Sequence, residues 1–392
     1  MVFLLQHGKK PDGHQPRDGH KPTVAIIGTR GYPSFYGGFE TLVRHLAPYL
    51  ADAGWNVEVY SRDDAISTMK TVTPGVRSVF TPGLEYKSLS TISYGLTAAA
   101  HSAATKPDVA LVMNVANGFW LPMLKARGIP TVVNVDGLEW ERDKWGSLAK
   151  SVFRAGASMT ARWADTLICD AEEIARYWRD EFDRDSVFIP YGGEPPCSHR
   201  VLDKVQEGEF VLFVARLVPE NTVDEFLCAA EELARERDVV IVGSSGYEGP
   251  VETQVRRISE SYGRIHWLGQ VSDDDLLFSL WSKSGVYFHG HSVGGTNPAL
   301  VQAMACGAPT VARDTPYNRE VLGDSGYFVA PTAESIVDGV RAVLGSDERR
   351  SRMSQQAVQR QHHRYTWDIV CGLYEQPLRQ AVPGAVRADT DA

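Results

Sequence analysis

Apolar residues in this chain gather in short unbroken runs, with neither strict alternation nor a heptad pattern. VAIIG (24–28) is a continuous apolar run ending in a glycine, and NVEVY (56–60), DVALVMN (108–114), TVVNVDG (131–137) and DTLICD (165–170) read as further strands. Runs apolar on both faces and four to eight residues long predict buried parallel strands. Between them the spacing becomes helical: Leu42, Val43, Leu46 and Leu50 follow Glu40, with Pro48 awkward inside and able to kink the helix. Strands alternating with helices predict a doubly wound α/β domain over 22–193.

The stretch GGEPPCSHRVLDKVQEGE (192–209) breaks this rhythm with Gly, Pro and charge, and reads as a linker over 194–209. The rhythm then restarts. FVLFVAR (210–216), DVVIVGS (238–244), RIHWLG (264–269), GVYFHG (285–290), PTVAR (309–313) and GYFVA (326–330) predict six more strands, in a second domain over 210–365. A last helical segment, 366–381, is expected to pack back on the first domain. Within the segment 1–21, residues 5–21 are polar and rich in His, Gly and Pro, and the segment 382–392 forms the other end. Both read as disordered extensions. The expected fold is α/β: two Rossmann-like domains facing across a cleft, with ligands at the carboxyl ends of the strands.

Composition narrows the function classes. With a net charge of -9 over 392 residues, a nucleic-acid partner is not expected. The cysteines, Cys169, Cys197, Cys228, Cys306 and Cys371, are odd in number and contain no C-x-x-C pair, so reduced thiols are expected. The opening MVFLL is too short for a signal core, and no apolar run approaches the roughly 20 residues of a membrane span. A cytoplasmic protein is expected. Residues 144–164 carry Lys144, Lys150, Arg154 and Arg162 with Leu148, Val152, Phe153 and Met159. That pattern fits an ordinary amphipathic helix first. Peripheral contact with the inner face of a membrane is the second reading.

Four constellations carry candidate chemistry. GTRGYPSFYGGFE (28–40) follows a strand; its Gly37 and Gly38 open a helix whose free N–H groups favour an anion. The next strand ends in Ser61 and Arg62 where a dinucleotide fold needs an acid for ribose, so a nicotinamide cofactor is disfavoured. HGHSVGGTNPALVQAMACG (289–307) places His289, His291, Gly294, Gly295 and Thr296 before a helix that Asn297 would cap and Pro298 would begin. Gly307 would end that helix in a left-handed conformation. FVARLVPEN (213–221) sets Arg216 at a strand end, with Glu220 and Asn221 just after it; a guanidinium there can grip a diphosphate. NVDGLEWERDKW (134–145) offers Asp136, Glu139, Trp140 and Trp145, acids and aromatics suited to sugar hydroxyls and apolar sugar faces. Each also has a plain structural reading as turn, cap, surface ion pair or core residue.

Together with IPYGG and DTPYNREVLGDSGYFV, these strings resemble the rhamnosyltransferase-like branch of glycosyltransferase family 4, over about residues 23–375. The resemblance implies a GT-B fold, transfer with retention at the anomeric carbon, and no required metal or other cofactor, the nucleotide sugar being a co-substrate. It implies a donor such as dTDP-rhamnose and a saccharide or lipid-linked acceptor. By match to the family pattern, Gly37 and Gly38 lie near the donor diphosphate and Arg216 contacts the phosphates. Segment 294–302, with Gly294, Gly295, Thr296, Asn297 and Gln302, covers phosphates and nucleoside beside Asn221 and His291. Asp136 faces the transferred sugar or acceptor, near Glu139 and Trp140. Arg216 and Asp136 are the candidate catalytic residues. Two departures stand out: Asn221 where the wider family often has Lys, and Gly294 and Gln302 where it often has E-x7-E. Two other readings stay open, a sugar-nucleotide epimerase and an inactive nucleotide-sugar-binding paralogue.

Overall fold

The computed structural model describes residues 21–34, 37–62, 73–85, 89–142, 146–198, 200, 205–246 and 249–382. Most of the two expected terminal extensions, along with Lys144 and Trp145, lies outside the described residues.

The apolar runs become strands. In the first domain these are β1 (Thr23–Ile27), β2 (Asn56–Ser61), β3 (Val76–Phe80), β4 (Val109–Met113), β5 (Thr131–Asn134), β6 (Thr166–Cys169) and β7 (Val187–Phe188). They form a parallel sheet in the order β3-β2-β1-β4-β5-β6-β7. β3 and β7 were not among the expected strands. VRSVF mixes Arg and Ser into an edge strand with only Val76 fully buried, and VF is too short to carry a pattern. The helices are α1 (Gly38–Asp52), α2 (Leu89–Thr105), α3 (Leu121–Ala126), α4 (Ser147–Trp163) and α5 (Glu172–Phe182). α1 runs on through Pro48 to Asp52.

The second domain contains β8 (Val211–Val214), β9 (Val239–Val242), β10 (Ile265–Trp267), β11 (Val286–His289), β12 (Thr310–Arg313) and β13 (Gly326–Val329). All six expected runs are strands, ordered β10-β9-β8-β11-β12-β13 and parallel throughout. Its helices are α6 (Val223–Leu233), α7 (Pro250–Ser261), α8 (Asp274–Lys283), α9 (Pro298–Ala305), α10 (Pro316–Leu322), α11 (Ala333–Leu344) and α12 (Asp347–Arg364). The expected fold class therefore holds: two doubly wound α/β units. All five cysteines are free, and among the described residues no helix is long and apolar enough to cross a membrane.

A last helix, α13 (Trp367–Ala381), starts in the second domain and ends in the first. Thr366 caps it by accepting from Ile369 N at 3.3 Å. Trp367, Val370, Cys371, Tyr374 and Leu378 then share one buried cluster with Leu42, Leu46 and Ile189. The Trp367 indole stacks on His45 with centroids 4.2 Å apart and planes 8° apart. The Tyr374 hydroxyl accepts from Asn134 Nδ2 at the end of β5. At the crossing, Gly193 N donates to Tyr365 O at 2.8 Å and Gly193 O accepts from Gln361 Nε2 at 2.7 Å. The chain thus passes between the domains twice, and the two passages are bonded to each other.

This predicts that Leu378→Ala, at a fully buried site, destabilises the protein by about 2–5 kcal/mol, the range for removing a buried Leu side chain. Urea unfolding followed by circular dichroism would read it; a loss below 1 kcal/mol would mean that α13 contributes little to the first domain.

Candidate functional site

The carboxyl ends of β1, β4 and β5 face those of β8 and β11, and glycines set how closely they approach. After β1 the chain turns through Gly31 (φ +130°) and Gly37 (φ +111°) into α1. A Cβ on Gly38 would stand 3.1 Å from Tyr191 Oη and 3.5 Å from Pro298 Cγ, so the first turn of α1 meets the first turn of α9 across the cleft. A Cβ on Gly137 would lie 3.0 Å from Gly294 Cα, which brings the turn after β5 against the loop before α9. Gly294 has φ +103°, a conformation that L side chains rarely adopt. Asn297 caps α9 as expected, accepting from Ala299 N at 3.0 Å, with Pro298 first in the helix and Gly307 left-handed (φ +70°) just beyond it. Two helix N-termini, each with free N–H groups and a partial positive charge, therefore converge from opposite domains.

Thr296 fixes this approach. Its N–H donates to Asp170 O at 3.0 Å and its hydroxyl donates to the same carbonyl. Asp170 follows β6, is 3% exposed, and has Oδ1 without a hydrogen-bond partner. Burial first, then the neighbouring Asp136, push its carboxyl well above the usual range. A Cβ on Gly295 would collide with that carboxylate, so only glycine fits there.

Around the same point lies a charge cluster centred on Arg142. Its Nε pairs with Glu139 Oε1 at 2.9 Å, both side chains being nearly buried. Burial works against the Arg142 charge, but Glu139, Asp136, Glu220 and Asp170 outweigh it and raise its pKa. Three of those acids come from the first domain and Glu220 from the second. Arg142 Nη2 would be 3.4 Å from a Cβ on Gly137 and 3.6 Å from one on Gly294, so the guanidinium fills the space the two glycines leave. Asp136 sits at φ +60°, with its N–H held by Asn134 Oδ1 at 2.8 Å. A non-glycine residue in that region at a strand end is a mark of sites where geometry matters more than stability.

In the second domain Arg216 follows β8 and is exposed, and no described carboxylate pairs with it. Asn221 steadies its backbone: Nδ2 donates to Arg216 O at 2.7 Å, while Oδ1 meets His291 Nδ1 at 2.7 Å. Burial first, then His289, Arg142 and Arg216, hold the His291 imidazole well below its usual value, so it is neutral at pH 7. His289 is buried on β11, bonded through Nδ1 to Tyr287 Oη at 2.9 Å, and burial lowers its pKa to about 3. These histidines order a loop next to the cleft.

The structure therefore gathers Gly37, Gly38, Asp136, Glu139, Arg216, Asn221, His291, Gly294, Gly295, Thr296 and Asn297 around one cleft. Two expected contacts lie elsewhere. Trp140 was expected to offer its face to a sugar; it is 8% exposed and packs in the first-domain core near Tyr177 and Phe182, because the 3₁₀ turn Glu139–Glu141 rolls its ring inward. Gln302 was expected to read the nucleotide's ribose; its Nε2 donates to Glu194 O at 2.6 Å and its Oε1 accepts from Glu194 N at 3.2 Å. Both amide atoms are held by the linker. Sequence reasoning missed Arg142, Asp170 and Tyr191. Arg142 was visible only as a basic residue three positions after Glu139, and Asp170 only as the acid ending a strand.

Comparison with known proteins bears on this geometry. Residues 197–360 match the family described as Glycosyl transferases group 1, and residues 21–194 match a domain of unknown function, DUF1972. A phosphatidyl-myo-inositol mannosyltransferase of Mycolicibacterium smegmatis is 32% identical over 240 residues, 56% of this chain and 61% of that protein. An O-antigen chain mannosyltransferase B of Escherichia coli is 26% identical over 126 residues, 31% of this chain and 33% of the relative. The chain thus covers less than two thirds of the length of these relatives. Among solved structures, sucrose-phosphate synthase from Thermosynechococcus elongatus superposes with a TM-score of 0.76 at 17% identity, over 92% of this chain and 99% of that one. Anabaena HepE in complex with UDP-glucose gives 0.71 at 13% identity, over 92% and 100%. Residues 197–360 are accordingly similar to group 1 glycosyl transferases, and the two-domain fold that contains them is of the GT-B type.

Proposed function

We propose that this chain is a hexosyltransferase that moves a sugar from a nucleoside diphosphate to a saccharide or lipid-linked acceptor in glycan or glycolipid biosynthesis, with retention at the anomeric carbon. One observation carries the reading. Two glycine-opened helix starts, at Gly38 and Pro298, face each other across a cleft, with the exposed Arg216 beside the neutral His291 at its edge. A diphosphate matches that arrangement: the α1 and α9 N–H groups and one unpaired guanidinium supply positive charge, and glycine backbones allow close approach.

As the glycosidic bond to the donor lengthens, negative charge builds on the leaving diphosphate and positive charge on the sugar. Arg216 and the start of α9 stabilise the first. Asp136 faces the second. The acceptor hydroxyl attacks from the face the diphosphate leaves, and the departing phosphate oxygen takes its proton. Asn221 acts through Arg216 and His291, which it bonds simultaneously. Gln302 is read as a clasp on the linker and not as a ribose contact. The donor is read as dTDP-rhamnose, on the sequence strings around Asp136, Arg216 and Gly294; the names of the relatives make a mannosyl donor the rival.

Incubating the purified protein with dTDP-rhamnose, GDP-mannose and UDP-glucose, each with saccharide and lipid-phosphate acceptors, tests the reading by mass spectrometry. A product heavier than an acceptor by one hexosyl or deoxyhexosyl unit is expected. Conversion of the donor alone, with no acceptor modified, would replace transfer with epimerisation. Arg216→Ala is expected to lower kcat by about 10²–10³ while the circular dichroism spectrum is unchanged, the usual loss on deleting one preorganised donor to developing charge. Unchanged turnover in the folded variant would remove Arg216 from the mechanism. Activity is also expected to survive EDTA, since Arg216 and the α9 terminus take the role that a divalent ion plays elsewhere. Abolition by EDTA with recovery on adding Mg²⁺ or Mn²⁺ would contradict this.

A further inference from the structure

The string DTPYNREV (314–321) holds none of the candidate site residues, yet it touches both domains. It contains most of α10, a helix of seven residues that Thr315 caps by accepting from Asn318 N at 3.1 Å. The buried Asn318 side chain ties this helix to the donor-side loop: its Nδ2 donates to His291 O and to Arg313 O, both at 2.9 Å. Further along, Arg360 of α12 donates to Glu320 O and Val321 O, both at 2.7 Å. The backbone of α10 is therefore fixed to its own domain and to the loop that carries His291.

Two of its side chains leave that domain. Tyr317 packs against the buried first-domain cluster that contains Trp140, Ile174 and Trp178. Burial first, then Glu141, Glu173 and Asp170 of the first domain and Glu320 of its own, push its phenol up to about 12. Glu320 reaches the start of α5, where both carboxylate oxygens lie 3.1 Å from Glu172 N. The N-cap position of α5 is Ala171, which has no side-chain acceptor to offer. The second domain thus supplies the cap of a first-domain helix, from 148 positions away in the chain. Two residues earlier, Asp170 O accepts both bonds from Thr296. Segment 170–172 is therefore held from the second domain at two points, and Asp170 is the buried acid that feels the charge of Asp136.

Hydrogen-bond geometry, more than charge, makes this cap. Burial first raises the Glu320 pKa and the charges of the Glu172 and Glu173 side chains add to it, while the backbone N–H groups of the same two residues oppose it. A neutral amide oxygen would serve as the acceptor nearly as well as the carboxylate.

We propose that Tyr317 and Glu320 are positioning residues: through them α10 docks on the first domain and sets the loop at His291 against the acids at the ends of β5 and β6. That the docked geometry serves sugar transfer rests on the transferase reading; the docking itself does not.

Small-angle scattering and turnover of the whole chain decide this, with urea unfolding as the control. Glu320→Ala is expected to lower kcat by roughly two- to thirtyfold, the scale for losing a helix cap, and to raise the radius of gyration of the ligand-free protein. Glu320→Gln is expected to keep both values near those of the wild type. Tyr317→Ala is expected to move both in the same direction as Glu320→Ala, and carries the test alone should Glu320→Ala fail to fold. A Glu320→Ala variant that loses urea stability but keeps wild-type turnover and scattering would make Glu320 a local cap only and overturn the proposal. Equal losses in the Ala and Gln variants would overturn it too. If the wild type transfers no sugar, the transferase reading falls and scattering alone decides the docking: expansion in both Ala variants keeps it, and profiles identical to the wild type overturn it. Transfer by the wild type, with turnover and radius unchanged in both Ala variants, would overturn the docking and leave the transferase reading standing.

Discussion

The guanidinium of Arg142 is the point on which the geometry of the cleft turns. It is nearly buried, it pairs with Glu139, and its charge is sustained by Asp136 and Asp170 from its own domain and Glu220 from the other. Buried acids repel one another strongly in a medium of low dielectric. Here one cation lies among four carboxyl groups, and part of the excess is relieved by Asp170, whose buried carboxyl is held well above the usual range. Removing the guanidinium would leave these acids without compensation, a change that typically costs about 3–5 kcal/mol for a buried pair. Because Glu220 belongs to the second domain, that loss falls on the approach of the two sheets as well as on the first domain's own stability.

The approach is then held by backbone. Thr296 donates twice to the Asp170 carbonyl, Gly295 leaves the space the Asp170 carboxylate needs, and Gly137 passes within about a van der Waals contact of Gly294. Beside α9, where a Cβ on Gly193 would stand 2.9 Å from Val301 O, Gly193 exchanges hydrogen bonds with Tyr365 and Gln361, and α13 buries Tyr374 and Leu378 in the first domain. The two domains are thus joined by polar contacts at the cleft and by an apolar helix. The polar contacts are few and local, whereas the α13 packing is extensive.

How much of this was legible in the sequence follows from the range over which each feature is determined. Eleven mainly apolar runs became strands, because a largely buried strand declares itself by composition. The start of α9 was equally legible, since a cap, an N1 proline and a closing glycine act within one turn. β3 was missed because an edge strand tolerates Arg77 and Ser78. Trp140 and Gln302 were assigned to ligands on residue type, but their partners, Phe182 and the Glu194 backbone, lie some 40 and 100 positions away and leave no local trace. Arg142 and Asp170 were passed over for the same reason. An arginine in a charged turn becomes a site residue only when acids of both domains close around it.

The departure at Gly294 and Gln302 from the wider family pattern has physical causes in this fold. Gly294 is buried at φ +103°, and a Cβ there would already stand 3.6 Å from Arg142 Nη2 and 3.8 Å from His291 Nε2. A glutamate at that position would need both a disfavoured backbone conformation and the volume that Arg142 and His291 occupy. Acids are present nearby nonetheless, Asp136, Glu139, Asp170 and Glu220, gathered around Arg142. At 302 the linker decides the residue. Glu194 presents an N–H and a C=O to the same side chain, and an amide answers both, donating with Nε2 and accepting with Oε1. A carboxylate accepts only, so it would set its second oxygen against the Glu194 carbonyl at about 2.6 Å, a contact with no proton to share. Glycine at 294 and glutamine at 302 are therefore the residues that this arrangement of linker and inter-domain contacts accommodates.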